Sequence, residues 1–329
     1  MPETFAVTDA VELAVVERSG FIESRHAGSA IVLDSQGGVV SALGAVEAPI
    51  LPRSTLKPMQ ALASVSAGAT LEGPHLAVAT ASHSGTDRHV ALVTDILTAA
   101  GLGEDALQCP PAWPGDPAAR DEMTRELIGP QRVRMNCSGK HAAMLLACQA
   151  SGWDTTTYLD PQHPLQIHTR EVIERLTGTK ITATATDGCG APVHAMSLAA
   201  LARAFHRIGA SSEKSPFALH RSAGTLVRAV RENPWVIQGP GQPDSIVTER
   251  LGVFAKHGAE GVMAMIAPNG TTAVLKMLDG STRAGAVTAL TLLVRAGALQ
   301  AADVARTLAD LPLTVTGGGR DVGVIRPTV

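Results

Sequence analysis

Strand patterns stand at both ends of this 329-residue chain, and a helix-rich stretch lies between them. That order limits the fold more than any other feature. Amphipathic strands at opposite ends of a chain must find one another before either can bury its apolar face. At the front, residues 11–17 mix β-branched residues with charges. Residues 29–34 and 39–43 then form two short apolar runs around Ser35-Gln36-Gly37-Gly38, the pattern of a hairpin. At the back, residues 261–267 and 271–277 flank Pro268-Asn269-Gly270. Asn-Gly between two such runs is the strongest short-range hairpin signal in the chain.

The middle has helical spacing. From Ser54 to about Ser66, Leu56, Met59, Leu62 and Ala63 fall on one side, and Pro58 is tolerable only in a first turn. Residues 89–100, 116–127, 140–150, 165–176, 193–208 and 215–232 predict further helices, with 282–298 and 301–308 near the end. Residues 76–81 read as a strand or buried segment, and residues 109–115 as irregular loop. The expectation is an α+β enzyme domain of two lobes. An antiparallel sheet from residues 8–52 and 233–329 is covered by helices, residues 53–232 form a central helical lobe, and the cleft between lobes is the default site.

Composition removes several functions. Lys plus Arg number 27 and Asp plus Glu 30, so there is no basic excess for nucleic acid. Aromatic residues make up 3%, too few for a base-stacking platform. No apolar run approaches the ~20 residues of a membrane span. Residues 1–20 lack a basic start followed by an apolar stretch, so no secretory signal is expected. The four cysteines, Cys109, Cys137, Cys148 and Cys189, are too few for a disulfide framework and read as free thiols of a cytoplasmic protein. Nucleotide loops and Gly-x-Ser-x-Gly are absent from the sequence.

Ser54-x-x-Lys57 is the first chemical candidate. Residues three apart on a helix share a face, so the amine can reach the hydroxyl. Lysine removes a serine proton only when neutral, which requires burial or a nearby positive charge. The same spacing at Ser211-x-x-Lys214 lies in a polar stretch and reads as surface. The bland reading of Ser54 is a helix N-cap. Ser82-His83-Ser84-Gly85 follows an apolar run and is either a site-building turn or an ordinary one. Asn136-Cys137-Ser138-Gly139-Lys140-His141 opens a helix, where anions are attracted and thiol pKa values fall. Asp187-Gly188-Cys189-Gly190-Ala191-Pro192 sets a cysteine between glycines that permit close backbone approach. Cys137 and Cys189 are able to bind zinc as thiolates if they meet. His163 and His168 are off the spacing of paired helical ligands and are expected at the surface. Cys109 and Cys148 are expected to be structural.

Taken in order, these blocks carry a resemblance. They join Glu23-Ser24-Arg25-His26-x-Gly28, Pro52-Arg53-Ser54-x-x-Lys57-Pro58 and Lys256-x-Gly258-Ala259-Glu260-Gly261. The chain resembles the asparaginase II family, the rhizobial-type or class 3 L-asparaginases, over roughly residues 11–294. The resemblance implies a fold like serine β-lactamases, penicillin-binding proteins and glutaminases, and hydrolysis of L-asparagine to L-aspartate and ammonia. It places the nucleophile on Ser54 with Lys57, and a second Ser–Lys pair on Ser82 and Lys256. It implies a zinc site on Cys137, Lys140 and Cys189, not needed for folding, and a homodimer. A zwitterionic substrate needs a cation for its carboxylate and an anion for its amine. Arg53 and His141 are the candidates for the first and Asp187 for the second. The rivals are a glutaminase or broader amidase on the same scaffold, a penicillin-recognising enzyme, and a non-catalytic zinc-binding or scaffold protein. One methylene distinguishes asparagine from glutamine, worth only ~1–3 kcal/mol in a pocket that tolerates both. The penicillin reading lacks Lys-Thr-Gly and Ser-Asp-Asn motifs.

Overall fold

The strands from the two ends of the chain meet in one antiparallel sheet, as their patterning predicts. The computed structural model describes residues 3–329. Across the eight-stranded sheet the order is Thr314–Gly317, Arg320–Pro327, Val11–Arg18, Phe21–Leu33, Thr272–Met277, Val262–Ile266 and Phe254–Gly258. Val39–Leu43 pairs with the second half of Phe21–Leu33, from Ala30 opposite Leu43 to Leu33 opposite Val39. Phe21–Leu33 is the longest strand. Its first half pairs with Val11–Arg18, and its second half pairs with Thr272–Met277 on the other side.

Side-chain alternation sends each strand's residues to two different cores. Ile31, Leu33, Val262, Ala264, Ile266 and Val274 join the helical lobe. Ala30, Val32, Met263, Met265, Ala273 and Leu275 face the opposite core, with the helix Gly285–Arg295. The same alternation explains Lys256. In the edge strand Phe254–Gly258, Phe254 packs with the helical-lobe core and Ala255 with the other. Position 256 therefore points back toward the helical lobe, carrying a lysine into its interior.

Several elements differ from the sequence expectation for identifiable reasons. Residues 76–81 do not form a strand: the helix Gly73–Thr80 buries everything from Leu76 to Thr80, so it has no polar face to mark a helical period. Residues 193–208 are not one helix. Pro192–His194 pairs with Thr184–Thr186, Met196–Ser197 pairs with Pro49–Ile50, and the helix is Leu198–Gly209. Ser197 caps it by accepting the Ala200 N–H at 3.1 Å. Gly317-Gly318-Gly319 leads into the last strand, in a hairpin the sequence did not signal. His163 is buried, not at the surface; its Nδ1 accepts the Leu165 N–H and caps the helix Pro164–Thr177. All four cysteines are buried and unpaired by disulfide. No described helix is long and apolar enough to cross a membrane.

Candidate active site

The site is assembled where the edge strand Phe254–Gly258 presses on the helical turn Arg53–Leu56. A Cβ on Gly258 would lie 2.7 Å from the Pro52 carbonyl oxygen, so only glycine allows this approach. The turn runs directly into the helix Lys57–Ser66. Lys57 is fully buried. Its Nζ donates to Ala81 O at 2.6 Å, Ser82 Oγ at 3.0 Å and Asn136 O at 3.2 Å. Lys256 arrives from the sheet, also fully buried, and its Nζ lies 2.8 Å from the same Ser82 Oγ and 2.7 Å from His257 O. One hydroxyl thus sits between two interior amines. Burial, with the Lys57 ammonium alongside, pushes Lys256 down to about 7. A near-neutral amine has a lone pair free to accept the Ser82 proton.

Ser54 is half-buried at the start of this turn. The Lys57 backbone N–H donates to Ser54 O, but among the described residues no hydrogen bond joins the Ser54 hydroxyl to the Lys57 amine, contrary to the expectation from helical spacing. The intervening turn is 3₁₀, and the lysine stem runs inward to Ala81 and Ser82 rather than back along the helix face. Arg53 holds a left-handed backbone conformation, φ +54°, which an L-residue adopts only when its surroundings impose it. Its guanidinium pairs with Asp187, Nε to Oδ1 at 2.6 Å, and Asp187 also accepts the Gly188 N–H at 2.8 Å. The two residues assigned to opposite ends of a zwitterion therefore hold each other in the structure described.

Cys137, Lys140 and Cys189 converge next to Asp187. Lys140 Nζ is 3.0 Å from Cys189 Sγ, and the Cys137 thiol donates to Asn136 Oδ1 at 3.1 Å. The Cys137 side chain beside it and the Lys140 ammonium, working against burial, hold the Cys189 thiol far below its usual range. Burial opposes charge on Lys140, but the two sulfurs outweigh it and raise its pKa. His141 is fully buried, with Nδ1 2.7 Å from the Tyr158 hydroxyl. Its ring lies beside Cys189, and its Nε2 has no hydrogen-bond partner among the described residues. Two soft sulfurs, an amine and an orphaned imidazole nitrogen are a donor set that suits zinc. Among the described residues no group of three His, Cys, Asp or Glu side chains is placed to hold a metal, so a zinc here depends on the lysine.

A cavity of about 420 Å³ opens onto Ser82 from the other side, lined also by His83, Trp113, Arg134, Gln238 and His257. His83 is committed within it: Nε2 donates to Ser138 Oγ at 2.9 Å and Nδ1 accepts the Gly85 N–H at 3.2 Å. Burial keeps that ring neutral. The buried Asp244 binds His257 twice, through the backbone N–H at 2.9 Å and through Nδ1 at 2.7 Å. Neither residue was singled out from the sequence. They stand 13 positions apart with no motif spacing to mark them.

A buried serine thus stands between two fully buried lysines on an α+β scaffold. The particular family follows: a profile for L-asparaginase II matches residues 14–327, and the chain belongs to that family. It is an amidohydrolase. Solved structures similar to it include a β-lactamase from Mycobacterium bovis at 15% identity, covering 82% of this chain and 94% of that one, TM-score 0.44. Another is Mglu in its glutamate form, at 10% identity, covering 82% of this chain and 60% of that one, TM-score 0.47. Among curated proteins, none matches this chain.

Proposed function

We propose that the chain hydrolyses L-asparagine to L-aspartate and ammonia through an acyl-enzyme on Ser54. The observation that carries the reading is Ser82 Oγ lying 3.0 Å from Lys57 Nζ and 2.8 Å from Lys256 Nζ, all three groups buried. Two amines this close share charge: holding both protonated in the interior is unfavourable, so the pair is one proton short of full charge near neutrality. A Lys57 N–H proton passes to Ser82 as the Ser82 O–H proton passes to Lys256. Lys57 is then neutral and able to accept the Ser54 proton when its side chain turns toward that hydroxyl.

Ser54 Oγ attacks the side-chain amide carbon, and its proton goes through Lys57 to the departing nitrogen. The C–N bond breaks, ammonia leaves, and a β-aspartyl ester remains. Water then adds to the ester, the C–O bond to Ser54 breaks, and the serine regains its proton from the relay. Backbone N–H groups at the Arg53–Leu56 turn, that of Ser54 among them, hold the oxyanion. Loss of one such donor typically costs ~10²–10³ in rate. Arg53, His141 and Asp187 frame the substrate side.

Cys137, Cys189 and Lys140, the last as a neutral amine, would hold a zinc ion, which when bound would supply positive charge for the substrate carboxylate. Zinc content measured on the purified protein, and its loss in Cys137→Ser, tests that donor set. A second reading makes Ser82 the nucleophile, because both amines contact it and not Ser54. Two facts weigh against it: Ser82 is more deeply buried than Ser54, and both amines crowd its oxygen.

Ammonia release with asparagine, glutamine and a penicillin-type ester tests the substrate. Asparagine is expected to be turned over fastest; faster turnover of glutamine or the ester would replace asparagine. Ser54→Ala is expected to lose at least ~10³ in kcat, as removal of a nucleophile does. Mass analysis of the acyl-enzyme trapped by acid is expected to find the adduct on the peptide carrying Ser54. An adduct on Ser82 would establish the second reading instead.

A further inference from the structure

Hydrolysis through an ester leaves one proton behind. Water supplies two protons: one returns to the serine, and the other appears when the product carboxylic acid becomes carboxylate. At the two-lysine centre that second proton is taken up by an amine lone pair. The centre must pass it on before the next cycle, yet Lys57 and Lys256 are both fully buried and have no direct contact with solvent. Ser82 is the member of the centre that lines a cavity.

The titratable residues around that cavity are His83, Arg134 and His257. His83 is occupied at both ring nitrogens. Arg134 is a permanent cation, paired with Asp87 at 2.7 Å and donating to Gly85 O at 2.8 Å. His257 is different. Asp244 Oδ2 takes its Nδ1–H, which fixes the tautomer and leaves the lone pair on Nε2. The His257 side chain is 24% exposed while that of Asp244 is 1% exposed, so the anchor is interior and the imidazole reaches solvent. Charged groups come near it from several elements. Asp244 comes from the helix Pro243–Leu251, Lys256 from its own strand, and Arg134 from across the cavity. Arg283 lines an adjoining cavity that His257 also borders.

We propose that His257, oriented by Asp244, is the port through which the Lys57–Ser82–Lys256 centre exchanges protons with solvent. The excess N–H proton moves from Lys256 to the Ser82 oxygen as the Ser82 O–H proton moves to cavity water. Water passes a proton to His257 Nε2, and buffer removes it. No bond to carbon is involved, so His257 is a relay and positioning residue. The inference rests on the acyl-enzyme reading and names the proton path of that site.

The test is the steady-state kinetics of His257→Ala and of His257→Gln, which keeps a polar side chain at the strand edge. Both are run in dilute and in concentrated imidazole buffer. In dilute buffer kcat is expected to fall about 10²-fold, the low end of what a positioned acid–base group contributes. kcat/KM is expected to change much less, because acylation needs no proton export. Imidazole should restore kcat in a concentration-dependent way. A purely structural role would lower kcat and kcat/KM together without rescue. That result, or an unchanged kcat in dilute buffer, overturns the relay. Wild-type protein inactive on every amide would overturn the acyl-enzyme reading and the relay with it. An active wild type with an unresponsive variant overturns the relay alone.

Discussion

Two interior lysines of this protein meet opposite fates. Lys256 and Lys140 are equally removed from water. Lys256 faces a hydroxyl and a second ammonium, and its pKa falls to about 7. Lys140 faces a thiolate 3.0 Å away, and its pKa rises. Desolvation acts on both in the same direction. The partner decides the outcome: a neutral oxygen gives no compensation for a buried charge, and an anionic sulfur does. One centre thereby acquires a base, and the other a paired ion or a metal-binding set.

Replacing each member in turn separates the two centres. Lys256→Met removes the amine that accepts the relay proton. kcat is expected to fall ~10²–10⁴-fold, the range for a lost acid–base group. Thermal stability should hold or rise, since an apolar side chain of similar size replaces a poorly compensated buried amine. A large drop in Tm without loss of kcat would invert the comparison.

Cys189→Ala acts on the other side. In chelator-treated protein it leaves a buried ammonium without its anion, which typically costs about 3–5 kcal/mol. Denaturant unfolding measures this directly. A change below about 1 kcal/mol would mean that the sulfur does not hold the charge.

The pH dependence sharpens the contrast further. Lys256 is active when neutral, so kcat/KM should climb with pH and level off above about 7, falling near tenfold per unit below it. The linkage to stability has the same sign. A lysine whose folded pKa is depressed binds fewer protons than the unfolded chain between about 7 and 10.5, so stability rises with pH across that window. Stability falling through that window would contradict the assignment.

Much of this arrangement was legible in the sequence. The Asn269-Gly270 turn, with apolar runs on each side, marked its hairpin because turn chemistry and alternation are local. The α+β order followed from where strand patterns cluster. The helix Gly73–Thr80 was not legible, since burial on all sides erases the period that betrays a helix. The strands around residue 193 escaped because they are only two or three residues long, and Met196–Ser197 finds its partner in the distant Pro49–Ile50. The pairing of Lys256 with Ser82 across 174 positions came only from the ordered family motifs, not from any spacing. Helical spacing suggested contact between Ser54 and Lys57, but the 3₁₀ turn at Arg53–Leu56 directs the lysine elsewhere. The Asp244–His257 pair had no sequence signature, and neither residue stands out until the chain is folded.

The charge state of Lys256 can be read directly. NMR titration of protein carrying ¹³Cε-labelled lysine, with the Lys256 resonance assigned by its disappearance in Lys256→Met, reports that one amine. The account predicts a midpoint at about 7. A resonance that stays in its ammonium position up to the ordinary lysine range, ~10.4, would contradict it.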